Sequence, residues 1–163
     1  MRVLICTLAL TSAALFAAMQ FYTLPHLTAL AGSPPFDLRL TGYSMQDAQT
    51  LLAAYGPAGR AYYTNVQQRL DMILPAVLGL TLILTFRHLC ARRPLLQALP
   101  ALFIAADYTE NSLLRRILQS GPDAIDSTAL FAASIATQIK FAALIPALLA
   151  FAVLLALATR HRA

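Results

Sequence analysis

The sequence predicts an all-α membrane protein: four transmembrane helices in an up-down bundle, with a partly helical extracytoplasmic loop between the first two. Three observations predict it. Of the 163 residues, 59% are hydrophobic and only 12% charged, against roughly 25% charged in an ordinary soluble domain. Four apolar stretches, residues 3–22, 70–86, 95–114 and 129–158, approach or exceed the roughly 20 residues that a helix needs to cross about 30 Å of hydrocarbon. Basic residues, finally, recur at the same end of successive stretches.

The first stretch competes with a secretory signal, because Arg2 precedes an apolar run that is followed by Ala13, Ala14, Ala17 and Ala18. Met19, Gln20 and Phe21 make a poor cleavage site, and Cys6 is too near the start for a lipobox. A retained helix is the better expectation. Arg2, then Arg87, His88, Arg92 and Arg93, then Arg160, His161 and Arg162 put both termini and the middle loop in the cytoplasm. Arg115 and Arg116 oppose this assignment but are outnumbered. The net charge of +5 is thus a topology signal, not a nucleic-acid footprint. Cys6 and Cys90 fall on the reducing side, which disfavours a disulfide.

The outer loop spans residues 23–69. It opens on the breaker Ala31-Gly32-Ser33-Pro34-Pro35. Ser44 followed by Asp47 is a capping-box pattern, and Leu51, Leu52 and Tyr55 lie on one face of a short amphipathic helix over about residues 45–54. Gly56-Pro57-Ala58-Gly59 ends that helix, Pro57 suits the start of the next, and from Arg60 a continuous helix is expected into the second span. The other connections are short, so consecutive spans are antiparallel neighbours in a single membrane domain, residues 1–163. Pro75, Pro100 and Pro146 each fall inside a span, where each frees a backbone carbonyl.

Charges inside a span cost roughly 2.5–3.5 kcal/mol each on insertion scales and therefore mark functional candidates. Asp71, Asp107, Glu110 and Lys140 are such residues. At 1.5 Å per residue, Asp71 lies about 24 Å from Arg87, Asp107 and Glu110 about 21 and 26 Å from Arg93, and Lys140 about 30 Å from Arg160. Gln20 is about 27 Å from Arg2. All four helices therefore contribute to one polar layer in the outer half of the bundle. Asp107, Glu110 and Asn111 share a helix face. Two carboxylates so close need a cation or a proton, and Lys140, the sole lysine, is the natural partner, with Thr137 one turn away. A boundary reading competes, in which these groups lie among lipid headgroups and Lys140 snorkels. A structural ion-pair network is a further alternative. In the loop, Asp37, Arg39, Tyr43, Arg60, Tyr62 and Tyr63 are able to close over a cavity. The plainer expectation is an Asp37–Arg39 pair and an interfacial tyrosine belt.

No cofactor is expected. The three histidines lie at or beyond the membrane edges, which disfavours haem, and no Cys-x-x-Cys, nucleophile elbow or glycine-rich phosphate loop occurs. Asp71, Asp107 and Glu110 lack the histidines or cysteines of a transition-metal site.

The order Phe36-Asp37-x-Arg39, Gly42-Tyr43-Ser44, Gly59-Arg60, Asp71 with Pro75, Asp107-x-x-Glu110-Asn111 and Thr137-x-x-Lys140 resembles a group of small four-span bacterial membrane proteins with no assigned activity. The resemblance implies four helices and a bacterial inner membrane, and no particular reaction. The leading expectation is a cavity in the outer leaflet that binds a small or amphiphilic, lipid-like ligand. Asp107, Glu110, Asn111, Thr137 and Lys140 would form its floor, with Asp71 opposite and Arg39, Tyr43 and Arg60 at the mouth. Any catalysis would use Glu110 or Asp107 as acid or base. The alternatives are an accessory or assembly subunit with a structural charge cluster, and a proton- or ion-coupled carrier acting as an oligomer. The expected partners are membrane lipids, the ligand, and a second copy or another membrane protein.

Overall fold

The computed structural model describes residues 1–90 and 93–160. The chain starts as one long rod: α1 (Arg2–Ala18), a π-helical turn (Met19–Thr23) and α2 (Leu24–Ala31). The π turn sits where Pro25 withholds an N–H from the hydrogen-bond ladder. Gly32, in the left-handed region, closes the rod by donating to the Thr28 carbonyl at 2.8 Å.

A short 3-10 turn (Phe36–Leu38) leads to α3 (Met45–Tyr62). Ser44 and Asp47 form a reciprocal capping box at its start. Gly56, at φ 58° and ψ −176°, breaks α3 in a conformation open almost only to glycine, and Pro57 begins the next turn. A second π turn (Tyr63–Gln67) joins α3 to α4 (Gln68–Leu89). Two further helices follow, α5 (Pro94–Ser120) and α6 (Ser127–Arg160). Residues 23–69, expected as an outer loop with one short helix and a continuous helix from Arg60 onward, are mostly helical, with helix added at Leu24–Ala31. The reason is burial: Leu24 and Leu27 on α2 and Leu51, Leu52 and Tyr55 on α3 enter the core, and tertiary packing extends helices past their apolar stretches.

Among the described residues the fold is all helical, and three helices are long and apolar enough to cross a membrane: Arg2–Ala31, Met45–Leu89 and Ser127–Ala158. Their outward faces stay apolar, as with Val3 at 81%, Leu10 at 73% and Phe131 at 70% exposure. Such surface calls for an apolar solvent. α5 matches them in length, but Asp107, Glu110, Arg115 and Arg116 interrupt its apolar run.

Helix α5 packs most extensively on α6 and next on α4, while α1 leans on α4. At one end a core of Leu27, Phe36, Leu51, Leu52, Tyr63, Leu114 and Ile117 ties α2, α3 and the end of α5 into a cap. Towards the other end Leu82, Phe86 and Ala147 pack between α4 and α6. The charged residues lie between these two cores.

Candidate functional site

Asp71 on α4, Asp107, Glu110 and Asn111 on α5, and Thr137 and Lys140 on α6 converge, each at most 5% exposed. The Lys140 ammonium contacts Glu110 Oε2 and lies 3.7 Å from Asp107 Oδ2. It also stands 5.3 Å from the centre of the Phe141 ring. Thr137 donates to Glu110 Oε1 at 2.6 Å. Lys140 thus reaches both carboxylates, and its buried ammonium does not snorkel outward.

Asn111 bridges the remaining carboxylates. Its Nδ2 donates to Asp107 Oδ1 at 2.8 Å and to Asp71 Oδ2 at 3.0 Å. The same nitrogen lies 3.4 Å from the Asp71 carbonyl, which Pro75, four residues on, leaves without its usual helical donor. Gln68 Nε2 donates to the Asn111 carbonyl at 3.0 Å.

Asp37 completes the layer from the 3-10 turn. It turns inward, away from Arg39, and its Oδ2 accepts from Gln67 Nε2 at 2.9 Å. Thr23 in the first π turn contacts the Gln67 oxygen in the second. The two widened turns and the loop are thereby pinned to one another through Thr23, Gln67 and Asp37, all buried. No periodicity marks Asp37 or Gln67 in the sequence. The signal available was the hydrophobic neighbour Phe36, whose burial carries Asp37 in with it.

Gly42 lets the loop approach α6. At φ +83° its backbone lies so near Ser134 and Gln138 that a β-carbon would overlap their side chains. The Tyr43 N–H donates to Ser134 Oγ at 2.9 Å. Tyr43 itself is buried and stacks edge-on against Phe36, ring centres 4.8 Å apart. Burial pushes its hydroxyl well above the ordinary tyrosine range. Tyr63 is likewise buried and packs with Tyr55 in the cap, so Tyr43 and Tyr63 face inward, while the half-buried Tyr62 packs against His26, ring centres 4.4 Å apart.

Beneath the layer is a cavity of about 390 Å³, within the ~300–1,000 Å³ usual for small-molecule sites. Asp37, Asp71, Asp107 and Lys140 line its polar end. Leu74, Leu78, Leu82, Phe103, Leu144, Leu148 and Phe151 line its length, and Ala9, Ser12, Ala13 and Phe16 of α1 form one wall. Asp71 to Leu82, like Lys140 to Phe151, is eleven positions, so the cavity extends about 16 Å along the helices. α1 packs on α4 but has no substantial packing on α6, and the cavity lies between them.

Glu110, Asn111 and Thr137 stand behind the wall, holding the groups that line it. Arg39 and Arg60 are elsewhere. Arg39 pairs with Asp47 at 3.2 Å and donates to the Pro34 carbonyl at 3.1 Å, while the Arg60 guanidinium lies against Gly121 in the α5–α6 connection. Neither forms the cavity mouth. Among the described residues no group of three or more His, Cys, Asp or Glu side chains is arranged to hold a metal ion.

No protein-family model matches the sequence, and neither a curated protein nor a solved structure matches the chain. The functional argument rests on the site alone.

Proposed function

We propose that this is a four-span inner-membrane protein that binds an amphiphile, its head at the Asp37–Asp71–Asp107–Lys140 layer and its tail along the α1–α6 gap. The observation that carries this is the two-part lining of one cavity: charged at one end and beyond it mainly Leu, Phe and Ala, with Ser12, Gln20 and Thr81 the polar exceptions. A water-soluble metabolite gains nothing from about 16 Å of apolar wall, whereas an acyl or alkyl chain gains about 0.8 kcal/mol per buried methylene when it comes from water. From a bilayer that gain vanishes, so the head contacts set affinity, and entry through the side between α1 and α6 costs little.

The four-span reading is supported by α5, whose 27 residues extend about 40 Å and whose acidic residues turn into the bundle. The outer-leaflet position of the layer and the cytoplasmic termini follow from the arginine distribution. Asp107, which lines the cavity, is the candidate acid or base if the bound amphiphile reacts; Glu110 is shut away from it behind Lys140.

A second reading, an accessory subunit with a structural charge cluster, draws on the closed Lys140–Glu110–Thr137 group. It gives no role to the cavity. Native mass spectrometry of the full chain released from bilayer nanodiscs separates the two. Binding predicts a one-to-one amphiphile adduct that Ala13→Phe, which fills the α1 wall, reduces at least tenfold while the helical content stays unchanged. An adduct indifferent to Ala13→Phe, or none at all, refutes the binding reading.

A further inference from the structure

The charge and hydrogen-bond inventory of the layer specifies the head of the ligand. Four buried carboxylates, Asp37, Asp71, Asp107 and Glu110, face one buried ammonium, Lys140, a formal excess of three negative charges. Lys140 is already committed to Glu110 and Asp107. Arg39, the nearest arginine in sequence to Asp37, is occupied by Asp47. Asp37 and Asp71 therefore line the cavity with no cationic partner among the described residues.

Unused acceptors make an independent second observation. Asp37 Oδ1, Gln68 Oε1 and Asn111 Oδ1 in the layer, and the Tyr43, Tyr55 and Tyr63 hydroxyls in the cap, have no hydrogen-bond partner, although their residues are at most 9% exposed. Buried polar atoms are ordinarily satisfied, and each orphan calls for an explanation. Of these residues only Asp37 lines the cavity, and its unmet atom is a carboxylate acceptor. At the cavity's polar end an unmet acceptor and an excess of negative charge coincide.

We infer that the amphiphile carries a protonated amine at its head. This rests on the amphiphile-binding reading above. An ammonium supplies three donors, no acceptor and one positive charge, matching the negative charge and the unmet Asp37 acceptor. A hydroxyl supplies one donor and brings further lone pairs. A carboxylate or phosphate adds acceptors and negative charge to a layer with an excess of each. The tail is a single chain: an extended chain advances about 1.2 Å per bond, as three backbone bonds span ~3.5 Å, so a dodecyl chain is comparable with the cavity's length.

The test compares dodecylamine, dodecanol and laurate by isothermal titration into the full chain in phosphatidylcholine nanodiscs, with empty nanodiscs subtracted for partitioning. The expected order is amine at least tenfold tighter than alcohol, with laurate weakest. Asp71→Asn should bring the amine within about threefold of the alcohol, and Asp37→Asn supplies the same comparison if Asp71→Asn does not fold. Alcohol or laurate bound as tightly as the amine overturns the amine assignment and leaves amphiphile binding standing. Such a result would also be expected if the layer balanced its charge with its own protons. Binding of none of the three overturns both readings.

Discussion

Lys140→Met removes the one ammonium from a layer of four carboxylates, and its cost follows from burial. Lys140, Glu110 and Asp107 are 4%, 0% and 3% exposed, so water cannot replace the lost partner. Breaking a buried pair by deleting one member costs about 3–5 kcal/mol. In a chain of this size each kcal/mol moves the midpoint by roughly 2–4 °C, giving an expected fall of about 6–20 °C. Glu110→Gln should cost less, because its amide oxygen still accepts from Thr137 and Lys140 keeps Asp107 at 3.7 Å. The double variant should be more stable than the sum of the singles requires, by a coupling of at least about 1 kcal/mol. Thermal unfolding of each variant in nanodiscs, followed by circular dichroism, measures all three terms. A Lys140→Met midpoint within about 2 °C of wild type, or strict additivity, would refute the claim that this pair holds α5 to α6.

The Thr23–Gln67–Asp37 connection predicts that Gln67→Leu destabilises the chain by about 1–3 kcal/mol, the cost of leaving a buried acceptor unmet. Adding Asp37→Leu should recover most of that loss, and unchanged stability of the double relative to Gln67→Leu would count against the connection. Asp47 sets an acid limit on the cap. The Ser44 hydroxyl first, then the Ser44 N–H and Arg39, hold its carboxyl below the usual aspartate range. Because the folded value is the lower one, its contribution is complete above about pH 4 and is lost as pH falls through the folded value. The midpoint difference between wild type and Asp47→Ala should therefore be constant near neutrality and shrink in acid; a difference independent of pH would exclude this role.

Much of the architecture is legible in residues whose meaning is local. Apolar runs of bilayer length give the helices, because backbone groups in hydrocarbon have to pair within their own segment. Gly56-Pro57 marks the break in α3, since only glycine takes its backbone conformation readily. Helical rise is regular, so counting from the basic ends was enough to set Asp71, Asp107, Glu110 and Lys140 at one depth. Depth is one coordinate, however, and it says nothing about which side chain faces a partner and which faces a void. Glu110 and Lys140 share a depth with Asp71, yet Glu110 is sealed behind Lys140 while Asp71 meets the cavity.

The loop contributions were hidden for the same reason. Asp37 and Arg39, two positions apart, read as a local pair. In the fold, burial of Phe36 draws Asp37 inward to Gln67 and leaves Arg39 to the capping box. By itself the sequence determined the apolar helices, the break at Gly56 and the existence of a charged layer, because length, hydropathy and rise are properties of single segments. Only the tertiary structure decided the cavity and the acidic chemistry of its polar end. Both arise from how α1 leans on α4 without closing on α6 and from which acceptors the surrounding side chains leave unmet.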